Sequence, residues 1–153
     1  MHKNCFILIL FFLPVLVFAE TAAELEALME TDPITVSLAA RFTMGAAGLP
    51  QDYQEALSRG WVKGGPDDAI TMQEAAFLMM NVFELKGGIM YSILHNPRYA
   101  YREMIYKKLI HGQTNANMKL SGRRFLQILG KTLDYKGERE EMDALLQNSG
   151  AIN

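Results

Sequence analysis

The sequence predicts an all-α protein: three helix–loop–helix units packed as a pseudo-threefold or stacked helical bundle. Three observations predict it. Three segments share one template: Ile34-Thr35-Val36-Ser37-Leu38-Ala39-Ala40-Arg41-Phe42, Ile70-Thr71-Met72-Gln73-Glu74-Ala75-Ala76-Phe77-Leu78 and Leu120-Ser121-Gly122-Arg123-Arg124-Phe125-Leu126-Gln127-Ile128. Repetition at this scale means that one supersecondary unit is reused. Upstream of the second and third copies, the block from Tyr53 to Gly64 matches the block from Tyr101 to Gly112 at a constant offset of 48 residues. Within every block, apolar residues recur three to four positions apart, as one buried helix face requires.

Taken in order, residues 1–19 read as a signal peptide. Lys3 gives a positive start, Phe6 to Phe18 is an apolar run interrupted by Pro14, and Val17-Phe18-Ala19 fits a small-residue cleavage site. That run is shorter than the roughly twenty residues a membrane helix needs, and an uncleaved anchor is the alternative. Cys5, the single cysteine, lies within this leader, so the exported chain is expected to hold together by packing alone.

Residues 20–136 are expected to form one domain with repeats over roughly 20–49, 50–96 and 97–136. In the first, residues 20–29 supply a leading helix, and Thr35 caps the next. A competing register makes Asp32 the cap and Pro33 the first helical residue. In the second, Gly64 stands where the leading helix would stop, since glycine accepts the left-handed conformation at a helix end. Thr71 then opens the following helix, and Glu74 completes a capping box. In the third, Gly112 and Ser121 take the corresponding places. Gly87-Gly88 and Asn96-Pro97 break the apolar stretch from Met72 to Leu94 into a long helix and a short segment. Residues 137–153 read as a charged C-terminal helix or tail.

This unit resembles the S-layer homology repeat, in which a helix ending in a Trp-x-x-Gly-like segment leads through a loop to an Ile-Thr-Arg-Ala-Glu-like motif. Trp61-Val62-Lys63-Gly64 and Ile70-Thr71-Met72-Gln73-Glu74 match best, and the resemblance spans about residues 32–133. It implies three repeats in pseudo-threefold arrangement, and attachment to cell-wall glycopolymers, often pyruvylated, in the bacterial envelope. Val36, Met72 and Gly122 stand where the motif's arginine would be, which removes the expected grip on a ketal carboxylate in this chain.

Charge is segregated. Residues 20–97 hold 4 basic and 11 acidic residues, net −7, residues 98–136 hold 9 and 2, net +7, and residues 137–153 hold 1 and 4, net −3. A basic third repeat on an acidic protein predicts an anionic partner. The candidate ligand-binding residues are Lys107, Lys108, Lys119, Arg123 and Arg124, with Lys131 beside them. Arginine can grip carboxylates and phosphates bidentately. Tyr99 and Trp61 are candidate sugar-stacking rings. Trp61 aligns with Leu109, which also suits a core position.

The expected function is therefore non-catalytic: an exported periplasmic or cell-envelope protein that binds an anionic cell-wall polymer or peptidoglycan. The alternative is a periplasmic adaptor that acts through contacts with envelope proteins or by self-association. Thr71 and Glu74 suit a capping box better than a catalytic pair, and no second carboxylate is placed for glycan cleavage. His95 and His111 lack the companions of a zinc or catalytic site, so no metal and no cofactor is expected. An exported, acidic chain without a recognition motif is not expected to bind nucleic acid.

Overall fold

The computed structural model describes residues 22–112 and 114–150. The signal peptide expected over residues 1–19 lies outside them. The described chain is all-α: α1 (22–30), α2 (Val36–Ala46), α3 (Tyr53–Ser58), α4 (Met72–Val82), α5 (Ile89–Leu94), α6 (Pro97–Tyr106) and α7 (Gly122–Gly150). Two isolated bridges, Thr35 with Ala69 and Thr71 with Lys119, are the only β-type pairings among the described residues.

Local chemistry sets the helix starts. Thr35 accepts from the Leu38 amide and caps α2, so the register with Asp32 as cap and Pro33 as first helical residue does not occur. Thr71 and Glu74 form the complete capping box at α4. Ser121 accepts from the Arg124 amide at 3.4 Å. Arg124 occupies the place of Glu74, so α7 has no reciprocal carboxylate. Asp52 caps α3, and Asn96 caps α6 with Pro97 at the first turn.

The helix ends correct the sequence reading. Gly64 and Gly112 do adopt left-handed backbone, with φ of 87° and 81°, but inside the loops rather than at helix ends. The leading helices stop earlier, and their left-handed terminators are Gly60 (φ 69°) and Lys108 (φ 58°), again 48 residues apart. A lysine in that conformation is strained relative to glycine and gives no sign of it in composition. In the second unit two glycines, Gly60 and Gly64, were available, and the sequence reading takes the later one. The tyrosines of the matched blocks behave alike: Tyr53 donates to the Gly64 carbonyl and Tyr101 pairs with the Thr114 hydroxyl. Both tie a leading helix to the loop that follows it.

The three template segments meet in a closed ring of backbone hydrogen bonds. Ile34 N donates to Leu120 O at 2.8 Å, Leu120 N to Ile70 O at 3.2 Å, and Ile70 N to Ile34 O at 3.1 Å. All three side chains are fully buried. A second tier surrounds the ring. The first helical amides of α2, α4 and α7, which have no partner within their own helices, donate to loop carbonyls of other segments. Val36 N reaches Asp68 O, Met72 N reaches Met118 O and Gly122 N reaches Thr31 O, each at 2.8 Å.

At Gly122 the backbone of α1 comes so close that a Cβ would lie 1.6 Å from the Leu28 carbonyl oxygen. The motif position that holds Val36 and Met72 elsewhere must therefore be glycine here.

The core sits around α4, whose Met72, Ala75, Ala76, Phe77, Leu78, Met79, Met80 and Val82 are all buried. It packs against α2, α6 and α7. The run from Phe77 to Met80 is thus core, as its all-round apolarity predicts. The long α7 joins the third template segment to residues 137–150 without a break, so the boundary expected at residue 136 falls inside a continuous helix.

Candidate functional site: two corresponding grooves

Two clefts are built from matching positions of the second and third units. The first, about 320 Å³, is lined by Trp61, Val62, Lys63, Gln73, Glu74, Phe77, Asn96, Pro97 and Arg98. The other, about 300 Å³, is lined by Leu109, His111, Gly112, Arg124, Gln127, Ile128 and Lys131. Trp61 and Lys63 correspond to Leu109 and His111 through the 48-residue offset. Glu74 and Phe77 correspond to Arg124 and Gln127 through the template alignment, at an offset of 50. Both volumes lie at the small end of ligand clefts, about 300–1,000 Å³.

The chemistry of the two has diverged. In the second-unit groove, Trp61 is half-buried and packed against the core, with the Arg59 guanidinium 4.8 Å from its ring centroid. Such stacking holds the indole in one orientation. Glu74 is already engaged by the Thr71 amide and hydroxyl. This groove offers an aromatic wall with Lys63 and Arg98 at its edges.

The third-unit groove contains no carboxylate in its lining. Arg124, Gln127 and Lys131 follow one another at helical spacing of three and four on α7, which puts them on one face. Arg124 Nη2 donates to the His111 carbonyl at 2.8 Å, which orients the guanidinium across the mouth of the loop. An oriented guanidinium with an ammonium two turns away on the same face suits an anionic ligand.

The seven ligand candidates read from the sequence are not gathered in one place. Arg124 lies in the third-unit groove, and exposed Arg123 is its neighbour on α7. Trp61 lies in the other groove. Lys119 is exposed, but its Nζ donates to the Ala69 carbonyl at 2.6 Å and so joins the second and third loops. Lys107 sits over the Tyr135 ring, 5.5 Å from the centroid. Tyr135 is eleven residues beyond Arg124, or about 16 Å along the helix axis. Lys108 is exposed at the end of α6, and Tyr99 is half-buried in its first turn with the Arg102 guanidinium 6.0 Å from its ring centroid.

Sequence reasoning missed Gln127, His111 and Lys63 as groove residues. The spacing of positions 124, 127 and 131 was the available signal for the first. The others come together only through loop geometry. Among the described residues no group of three or more His, Cys, Asp or Glu side chains is placed to hold a metal ion. Compared with known proteins, the chain matches no family model, no curated protein and no solved structure.

Proposed function

We propose that this chain is a non-catalytic, exported envelope protein whose third-unit groove binds an anionic cell-wall glycopolymer or peptidoglycan. The observation that carries the proposal is the correspondence of the two grooves combined with their divergence. One position set gives an aromatic wall beside Trp61, which suits a sugar face. The same set gives a carboxylate-free cleft holding Arg124 and Lys131, which suits an acidic substituent on a sugar or linker. The ring of hydrogen bonds between Ile34, Ile70 and Leu120 supports reading the molecule as three related units about a common axis.

Arginine at position 124 takes the role that the S-layer-like motif gives to an arginine two residues earlier in each template. Gly122 cannot carry it, because the Leu28 carbonyl occupies the space of any side chain.

Co-sedimentation of the chain from Glu20 with purified wall sacculi, before and after acid stripping of attached polymers, tests this. Arg124→Gln with Lys131→Gln should weaken binding about tenfold or more, since a charge-assisted contact contributes roughly 1.5–3 kcal/mol. Helical circular dichroism should stay unchanged. Binding that survives both substitutions would overturn the groove assignment. Binding lost on stripping selects the polymer, and binding that survives stripping selects peptidoglycan.

A second reading, an adaptor working through protein contacts, draws on the distal part of α7. Met142 and Leu145 are exposed there, three residues apart on the helix. Concentration-dependent, salt-sensitive self-association would favour it.

A further inference from the structure

We propose that α5 and the exposed stripe of α6 form a docking surface for an anionic lipid bilayer. This surface shares Arg98 with the edge of the second-unit groove, but its apolar residues on α5 line neither groove.

α5 has six residues, and four of them are large, apolar and exposed: Ile89 at 78 %, Met90 at 51 %, Ile93 at 71 % and Leu94 at 47 %. Ile89 and Ile93, and likewise Met90 and Leu94, are four apart and form adjacent stripes of one face. The other side of the helix is fixed. Tyr91 is buried, and its ring packs at 4.9 Å centroid distance on His95, which also meets Phe77 at 5.2 Å. His95 Nε2 lies 2.9 Å from Asn81 Oδ1. Gly87 makes room for Tyr91, because a Cβ there would fall 2.4 Å from the ring.

His95 ends the helix in left-handed backbone, φ 36°, a conformation unfavourable for a residue with a Cβ. The segment is therefore pinned by one side chain and turned so that its apolar residues face outward. A contiguous exposed apolar face of this kind marks an interaction surface.

Charge selects the occupant. Between residues 84 and 108 there are five Lys and Arg residues and two carboxylates, Glu84 and Glu103. Glu103 is turned toward Gly88, with Oε1 2.7 Å from where a Cβ would stand. On α6, Arg98, Arg102 and Tyr106 succeed one another every fourth residue and are all exposed, Tyr106 at 83 %. Lys86 and Lys108 are exposed at either end of the region. An apolar wedge beside arginines and a wet tyrosine has the composition of an element that lies in a bilayer interface. The cations meet the negative surface potential of anionic lipid. At six residues α5 can enter the headgroup boundary but cannot cross it.

The test is flotation of the chain from Glu20 with vesicles of phosphatidylglycerol and phosphatidylcholine, and with phosphatidylcholine alone. The wild-type protein should float with the anionic vesicles and much less with the neutral ones, with binding falling as salt rises. Ile89→Asp with Ile93→Asp should reduce binding about tenfold or more while leaving helical circular dichroism intact, because both positions face water. Arg98→Gln with Arg102→Gln should remove much of the preference for anionic vesicles. An Ile93→Trp variant should show a blue-shifted emission component on binding. No flotation of the wild-type chain, or flotation unaffected by the Ile89 and Ile93 substitutions, would overturn the proposal. So would a dimer that these substitutions dissolve and that does not float.

Discussion

Replacing Gly122 by alanine should damage this protein out of proportion to the single methyl group added. The new Cβ would lie 1.6 Å from the Leu28 carbonyl oxygen, 2.7 Å from its carbon and 3.3 Å from the Thr31 oxygen. The closest atoms are backbone, so no side chain can swing away. Restoring ordinary contact requires α7 and the end of α1 to separate by roughly 1.5 Å. Overpacking of this kind costs about 1–3 kcal/mol.

The same movement pulls on two bonds of 2.8 Å, Gly122 N to Thr31 O and Ile34 N to Leu120 O. Leaving either pair buried and unmade adds about 1–3 kcal/mol. The expected loss is therefore about 3–5 kcal/mol, a large part of the roughly 5–15 kcal/mol that holds a small domain folded. It should appear as a fall in Tm of about 10 °C or more.

Gly130 and Gly137 lie in the same helix and have no atom within 4 Å of an added Cβ. Alanine at either should stabilise by about 0.5–1 kcal/mol through helix propensity alone. Urea denaturation of the three variants measures all of this together. A Gly122→Ala protein within 0.5 kcal/mol of wild type, an order-of-magnitude threshold set by surface substitutions, would refute the close-approach argument.

Thr71→Ala should lose about 1–2 kcal/mol because it dismantles a reciprocal capping box, whereas Ser121→Ala, which removes one 3.4 Å bond, should lose less. Equal losses in chemical denaturation would contradict the difference in geometry. Thr43 is fully buried, and its hydroxyl has no hydrogen-bond partner among the described residues. Thr43→Val should therefore raise stability by about 1 kcal/mol, and a clear destabilisation would count against it.

Burial pushes the Tyr91 phenol up to about 12, against a smaller downward pull from Asn81. The folded state thus holds this proton more tightly than the unfolded one, whose phenol titrates near 10. The stability that follows is complete below pH 10 and drains away as pH rises toward 12, by on the order of 2–3 kcal/mol. Tyr91→Phe should flatten that part of the stability–pH curve relative to wild type. Identical curves would show that Tyr91 ionises freely.

What was legible in the sequence follows the range of the interactions. The Thr71 and Glu74 box spans three residues, so its chemistry was readable directly. The core role of the Phe77 to Met80 run was readable from a single helix period. The ring was not readable, since its members are residues 34, 70 and 120. Only the repetition of Ile-Thr, Ile-Thr and Leu-Ser hinted that these positions do the same work.

Helix ends failed at Lys108, because a lysine gives no signal that its backbone turns left-handed. The basic cluster was legible as a cluster and illegible as a site. Lys107, Lys119 and Arg124 are close in sequence, but a loop and the direction of α7 carry their charges to different places. Helical spacing from Arg124 would have found Gln127 and singled out Lys131 as the lysine that shares its face.

The ring also governs when this chain can fold. Each of its bonds joins segments separated by at least 36 residues, and Leu120 takes part in two of the three. A chain cut before Leu120 can make only the bond from Ile70 to Ile34, with the loop-closure entropy of that long segment set against a single contact. Contacts this distant in sequence also favour slow, late completion. A growing chain would therefore remain without its central closure until Leu120 had emerged.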